Sequence, residues 1–152
     1  MKAENYYFGQ RGVEKDFKKG FKLFIESANL GNSEAQYMVG YIYDNGDYIP
    51  KNETEAVKWY LKSAKQGYFE AFLALGSSYE LGKGIKKDFT EAMKYYVKAS
   101  KRNSSNGDYN IGRMYEYGLG VQINIEEAKN WYQKAAKSNH FDAKNALKRL
   151  GN

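Results

Sequence analysis

The chain has 152 residues, with 24 Lys and Arg against 18 Asp and Glu, a single His, a single Pro and no Cys. Such a length is one domain's worth and buries a substantial core, while the missing cysteine excludes disulfides, thiol catalysis and cysteine-based zinc sites. No apolar run approaches the ~20 residues of a membrane span, and the opening MKAENYYFGQRGVEKDF lacks the apolar stretch of a signal peptide, so a soluble cytoplasmic protein is the expectation.

The first segment, NYYFGQRGV, holds Tyr7 at a phase that returns later in the chain, and leaves room for only a short helix. Asp16 to Gly31, DFKKGFKLFIESANLG, reads as the second helix of a helical hairpin, with Leu23 and Phe24 at bulky positions and Ser27-Ala28 at small ones. From Ala35 the chain repeats every 36 residues: AQYMVGYIYDNGDYIPKNETEAVKWY, then AFLALGSSYELGKGIKKDFTEAMKYY from Ala71, then GDYNIGRMYEYGLGVQINIEEAKNWY from Gly107. Self-similarity at a fixed period of this size marks a repeat architecture in which each unit buries its apolar face against its neighbours.

Within each unit the first helix carries a small residue, an aliphatic residue followed by Gly, and a Tyr: Ala35, Val39, Gly40, Tyr43; Ala71, Leu75, Gly76, Tyr79; Gly107, Ile111, Gly112, Tyr115. These offsets lie on one helical face. Gly inside a helix costs roughly 1 kcal/mol relative to Ala, so its return at one phase predicts close approach of a bulky partner helix. Loops follow at Asn45, Leu81 and Tyr117, where Gly46, Gly82 and Gly118 suit a left-handed helix end. Gly84 and Gly120 add a second permissive position that Tyr48 occupies in the first full unit, and the loop there is expected to take another path, helped by Pro50.

The second helices open on Asn52, Asp88 and Asn124, with Glu55, Glu91 and Glu127 three residues later, the spacing of a capping box. The pairs Trp59-Tyr60, Tyr95-Tyr96 and Trp131-Tyr132 read as core, and Ser63-Ala64, Ala99-Ser100 and Ala135-Ala136 as the small residues that receive them. FDAKNALKRLGN at the end begins another first helix that caps the array. The expected architecture is an all-α solenoid of stacked antiparallel helical hairpins in a single domain over 1–152: a partial unit 1–32, full units 33–68, 69–104 and 105–140, and a capping helix 141–152.

The motif Ala-x-x-x-Leu-Gly-x-x-Tyr-x-x-Gly-x-Gly, followed by Asp-x-x-x-Ala-x-x-(Trp/Tyr)-Tyr-x-x-(Ala/Ser)-Ala, resembles the Sel-one-like repeat family, a branch of the tetratricopeptide superfamily. The resemblance implies hairpins wound into a right-handed superhelix and a role as an adaptor or scaffold for other proteins. Some similar bacterial proteins act in host interaction, secretion or neutralisation of toxic effectors, and certain cysteine-rich relatives have been described as β-lactamases. With no cysteine and no catalytic motif, nothing of that last activity carries over to this chain. The family's concave groove is lined by first helices, which by similarity places Tyr37, Tyr41, Asp44, Asn45, Leu73, Ser77, Glu80, Tyr109, Arg113, Glu116, Tyr117 and Asn145 on it.

First helices are acidic (Glu34 and Asp44; Glu70 and Glu80; Asp108, Arg113 and Glu116), whereas the lysines concentrate on second helices and at the C-terminus. A groove with tyrosine anchors and acidic rims suits a basic or polar polypeptide partner, and it disfavours phosphate, so an RNA-binding role through the basic outer surface is the lesser alternative. LGKGIKKD lacks the Gly-Lys-Ser/Thr ending of a phosphate-binding loop. His140 has no second histidine or nucleophile partner, and the three in-register glutamates fit capping better than acid/base work. The reading is a non-enzymatic, monomeric, protein-binding module without cofactor, metal or membrane contact.

Overall fold

The computed structural model describes residues 3–10, 12 and 14–151. Arg11 and Val13 of the opening segment, with Met1, Lys2 and Asn152 of the expected terminal units, lie outside the described residues. All regular structure among the described residues is helical: α1 (Ala3–Phe8), α2 (Phe17–Asn29), α3 (Ser33–Asn45), α4 (Glu53–Lys65), α5 (Phe69–Leu81), α6 (Phe89–Ser100), α7 (Ser105–Tyr117), α8 (Ile125–Lys137) and α9 (Phe141–Arg149). The chain divides into two compact units, Met1–Ala71 and Phe72–Asn152, and the division falls in the first turn of α5. In the first unit α1 packs on α2, α2 on α3 and α3 on α4; in the second α6 packs on α7, α7 on α8 and α8 on α9.

The helical glycines mark the tightest contacts, as their phase predicts. A Cβ on Gly40 would stand 2.7 Å from the Tyr60 ring, and one on Gly112 2.7 Å from Tyr132; at Gly76 it would run into Tyr96. Each of these tyrosines is almost wholly buried on a second helix, so the core of each hairpin is a phenol ring seated where a first helix has no side chain. Ala92, Ile111 and Met114 gather around Tyr96, and Ala128, Ala135, Ala143 and Leu147 around Tyr132, while in the first unit Phe24, Ala35, Val39 and Ile42 form a core with Tyr7. The first members of the aromatic pairs are only half-buried. Lysines cover them: Lys62 stands 3.8 Å over Trp59, Lys98 4.7 Å over Tyr95 and Lys134 5.0 Å over Trp131.

Helix starts follow the expected caps, with one difference. Asn52, Asp88 and Asn124 accept through Oδ1 from the backbone N–H groups of Glu55, Glu91 and Glu127 at 3.0, 3.1 and 3.0 Å. The return half of a capping box is replaced. The cap residues' own N–H groups donate to the carbonyls of Tyr43, Tyr79 and Tyr115, at 2.8, 2.9 and 3.0 Å. That bond ties the second helix back to the first across the loop, and it frees the glutamates: Glu55 and Glu91 instead pair with Lys58 and Lys94 at 2.5 Å.

Tyr48 also departs from expectation. Its φ of 63° matches Gly84 at 66° and Gly120 at 71°, so the loop keeps the common path and a bulky side chain occupies the left-handed region. Such a conformation costs on the order of 1 kcal/mol, and the Tyr48 ring offsets it by stacking on Phe17 and meeting Tyr7 edge-on. A second left-handed position, unremarked in the sequence, closes every second helix: Gly31, Gly67, Asn103 and Asn139 have φ of 94°, 84°, 60° and 62°. Gly and Asn are the residues that tolerate it.

Replacement of Gly76 by Leu is expected to cost about 1–3 kcal/mol by forcing the Tyr96 ring out of its seat, seen as a melting temperature lowered by several degrees. A melt superimposable on that of the unchanged protein contradicts the close-packing role of this glycine.

Candidate functional site

The first unit contributes four of the expected site residues, all on α3. Tyr37 is half-buried, its ring centroid 5.7 Å from Tyr60, 5.4 Å from Tyr68 and 6.3 Å from Tyr41. Tyr41 is 40% exposed, one turn further along the same face. Burial pushes the Tyr60 phenol up, and the charge of the half-buried Asp44 acts the same way. Asn45 is exposed at the end of the helix. Burial pushes the Tyr37 phenol up, and Glu70, Tyr41 and Asp44 push it the same way. Tyr68 is pushed up to about 12, by burial first and then by Glu70 and Glu34. The result is a cluster of neutral rings bordered by carboxylates.

In the second unit the carboxylates are arranged differently from expectation. Glu80 and Glu116 are not an open acidic rim, since each is only 7% exposed. Glu80 accepts the Tyr96 hydroxyl through Oε2 at 2.7 Å and Arg113 Nη2 through Oε1 at 3.1 Å. Glu116 accepts the Tyr132 hydroxyl at 2.6 Å and pairs with Arg149 Nη1 at 2.5 Å. A buried carboxylate needs such partners, because unpaired burial of its charge is costly. Acid, tyrosine and arginine come from three successive helices, and each arginine lies 33 residues after its acid. Three less than the repeat period places the arginine one turn before the next unit's acid, so α7 presents Arg113 to Glu80 and Glu116 to Arg149.

The remaining expected residues fall into two groups. Leu73 packs against the core around Tyr96, and Tyr109 lies 5.6 Å from Tyr132 and stacks at 4.6 Å on His140. Ser77 is half-buried, whereas Tyr117, at 54%, and Asn145 are exposed. Arg149 Nη2 also lies 3.4 Å from the Tyr117 hydroxyl. His140 caps α9, its Nδ1 accepting from the Ala143 N–H at 3.3 Å and its Nε2 meeting Asn106 Oδ1 at 2.9 Å. Among the described residues no group of three or more His, Asp or Glu is placed to hold a metal ion, and none of their helices is long and apolar enough to cross a membrane.

Two arrangements escaped the sequence reading. Asp108, one of the acids of the first helices, is buried and accepts Ser100 Oγ at 2.5 Å and Lys134 Nζ at 2.8 Å, locking α6, α7 and α8 together. The acid–tyrosine–arginine triad is the other. Its signal in the sequence is the equal spacing from Glu80 to Arg113 and from Glu116 to Arg149, which links successive repeats.

Glu116 carries a testable pH dependence. Burial opposes its ionisation, but hydrogen bonds from Arg149, Tyr132 and Tyr117 outweigh burial and lower its pKa below the ordinary 4.5. A carboxyl with a depressed folded pKa stabilises fully above the unfolded value, and that stabilisation is lost as pH falls through the folded one. Between pH ~5 and ~3 the parent is expected to lose stability to urea more steeply than Glu116→Gln. Equal slopes would show that Glu116 contributes nothing there.

The Sel1 repeat family description matches residues 3–32, 33–68, 70–104 and 105–140. No curated protein matches the chain. Among solved structures, the chain is similar to a Sel1 repeat protein from Oxalobacter formigenes, with TM-score 0.88 and 31% identity over 98% of this chain and 63% of that one. It is similar to a protective antigen of uropathogenic Escherichia coli displaying an SLR fold, with TM-score 0.88 and 26% identity over 97% of this chain but 32% of that one. Cysteine rich protein B of Helicobacter pylori aligns with TM-score 0.67 and 27% identity, covering 91% of this chain and 99% of that one. The chain thus spans 32% and 63% of the first two relatives' lengths. The repeat match over most of its length, joined to this structural likeness, shows that the chain belongs to the Sel1 repeat family.

Proposed function

We propose that this chain is a protein-interaction module that captures a polypeptide partner on its first helices. The observation that carries the reading is that first helices leave large apolar or aromatic side chains in solvent at positions the repeat does not require: Tyr41, Leu81 and Tyr117. Exposed tyrosines on rigid helices bind with little ordering cost and bring both an apolar face and a hydroxyl. The scaffold supplies that rigidity through the seated tyrosines and, in the second unit, the buried triads. Leu73, Tyr109, Glu80, Glu116 and Arg113 act in this reading by shaping and holding the face, while Tyr37, Tyr41, Asp44, Asn45, Ser77, Tyr117 and Asn145 meet the partner.

Membership of the Sel1 repeat family supports an adaptor or scaffold role. Neutralisation of a toxic effector and a link to secretion are finer versions of the same interaction. Five lysines of the second helices, Lys58, Lys62, Lys94, Lys98 and Lys134, are engaged within the chain on Glu55, Trp59, Glu91, Tyr95 and Trp131, which supports a protein partner over a nucleic acid. A cytoplasmic monomer is the form in which we propose it acts.

The test is affinity capture from the native lysate with the parent and with the double variant Tyr41→Ala, Tyr117→Ala. Both tyrosines are exposed, so helicity is expected to be retained while the captured protein is lost. Retention of the same partner by the double variant would remove these helices from the interaction, and saturable, salt-sensitive retention of single-stranded RNA in place of a protein would favour the basic surface.

A further inference from the structure

We propose that the first unit binds a neutral, planar aromatic small molecule that carries a hydrogen-bond acceptor, held in the cavity between the start of α2 and the loop after α3 with the Tyr7 hydroxyl as its donor. The cavity measures about 790 Å³ and lies wholly inside the first unit; that size is ordinary for a ligand pocket. Its apolar wall is built from Tyr6, Tyr7, Phe17, Phe21, Tyr48 and Ile49. Phe17 and Tyr48 stack face to face, and Tyr7 meets both edge-on with ring centroids 5.4 and 6.3 Å away, a lining that suits an aromatic guest. None of these residues is among those assigned to the polypeptide partner, so the site stands apart from that reading.

Two observations point to a missing occupant. Tyr7 is 3% exposed, and its hydroxyl is sealed from solvent with no hydrogen-bond partner among the described residues. Buried hydroxyls are normally paired, and an unpaired one destabilises the fold that holds it. Burial pushes this phenol up to about 12, with Asp47 and Tyr48 of the same wall adding to the effect, so the oxygen keeps its proton and remains a donor. An acceptor on the guest supplies what the chain does not. The second observation is the left-handed Tyr48, whose φ of 63° falls where the other full units have Gly84 and Gly120. Strained backbone of this kind collects at ligand sites, and here the strained residue is the one whose ring lines the cavity.

Charge argues for a neutral guest. In the wall Glu14, Asp16 and Asp47 are nearly balanced by Lys15 and Lys18. Ring faces that attract a cation are already covered, since Lys15 Nζ stands 4.3 Å over Phe17 and Lys19 Nζ 4.1 Å over Tyr6. Asp16 is committed to the start of α2, where its Oδ1 accepts from the Lys19 N–H at 2.9 Å. Stacking area and one directed hydrogen bond are what remain to select a ligand.

The probe is quinoline, which is uncharged at neutral pH and presents two fused rings with one ring-nitrogen acceptor. Its counterpart is N-methylquinolinium, whose nitrogen is blocked and charged. Each is titrated into the isotope-labelled full chain, with backbone amide shifts followed by NMR. Saturable shifts centred on residues 6–7, 15–18 and 47–49 are expected with quinoline, and binding at least about tenfold weaker with N-methylquinolinium. Tyr7→Phe removes only the oxygen: quinoline is expected to bind roughly three- to tenfold more weakly, while the free protein melts about 2 °C higher because the orphaned hydroxyl is gone. A tyrosine with a purely structural role does not move affinity and stability in opposite directions. Tyr48→Gly, which restores the residue type of the other loops, is expected to keep its helicity and lose quinoline binding, and it decides the matter should Tyr7→Phe fail to fold. Absence of saturable quinoline shifts, equally tight binding of N-methylquinolinium, or undiminished quinoline binding by either variant overturns the proposal, as does a lowered melting temperature of Tyr7→Phe.

Discussion

The structure depends on one contact made in each full hairpin: a tyrosine ring of the second helix lying on a glycine of the first. Gly40 with Tyr60, Gly76 with Tyr96 and Gly112 with Tyr132 bring helices close enough that a single methyl group does not fit. The ring supplies a large buried area, and the hydroxyls of Tyr96 and Tyr132 are not left unpaired, because each donates to an acid at the end of a first helix. The glycine's backbone cost is what makes that geometry available. The caps, the inter-helix carbonyl bonds and the left-handed loop residues then fix the two helices around this seat.

From the seated tyrosine the polar part of the scaffold follows. A hydroxyl buried at the hairpin centre calls for an acceptor, the acceptor Glu80 or Glu116 becomes buried in turn, and its charge calls for Arg113 or Arg149. Burial drives all three tyrosine hydroxyls far from ionisation, with Asp44, Glu80 and Glu116 acting in the same direction. They are therefore permanent donors over the whole physiological range. The acids that sequence composition assigns to a partner-facing rim are, in the second unit, internal fastenings.

Much of the hairpin design was legible in the letters. Gly at a fixed helical phase foretold a bulky residue opposite, and Asn52, Asp88 and Asn124 announced helix starts that the structure reproduces in hydrogen-bond detail. Three things were not legible. The return half of the capping box fails because the backbone carbonyls of Tyr43, Tyr79 and Tyr115 reach the cap N–H groups first, a competition that spacing alone does not display. Tyr48 adopts positive φ because tertiary stacking on Phe17 overrides the local penalty. The burial of Glu80, Asp108 and Glu116 arises from pairings with residues 33, 26 and 33 positions away, where charge summed along one helix carries no information.

The spacing of the triads gives the second unit a direction. Each acid is completed by an arginine carried on a later first helix, so a hairpin is finished by its successor and never by its predecessor. Extending such an array at its C-terminal side by a whole 36-residue period preserves every pairing already made, whereas excising α9 strips Glu116 of Arg149 and leaves a buried anion at the new end. Repeat number is thus tied to charge: removing the helix that carries the arginine leaves the preceding hairpin's acid without its partner.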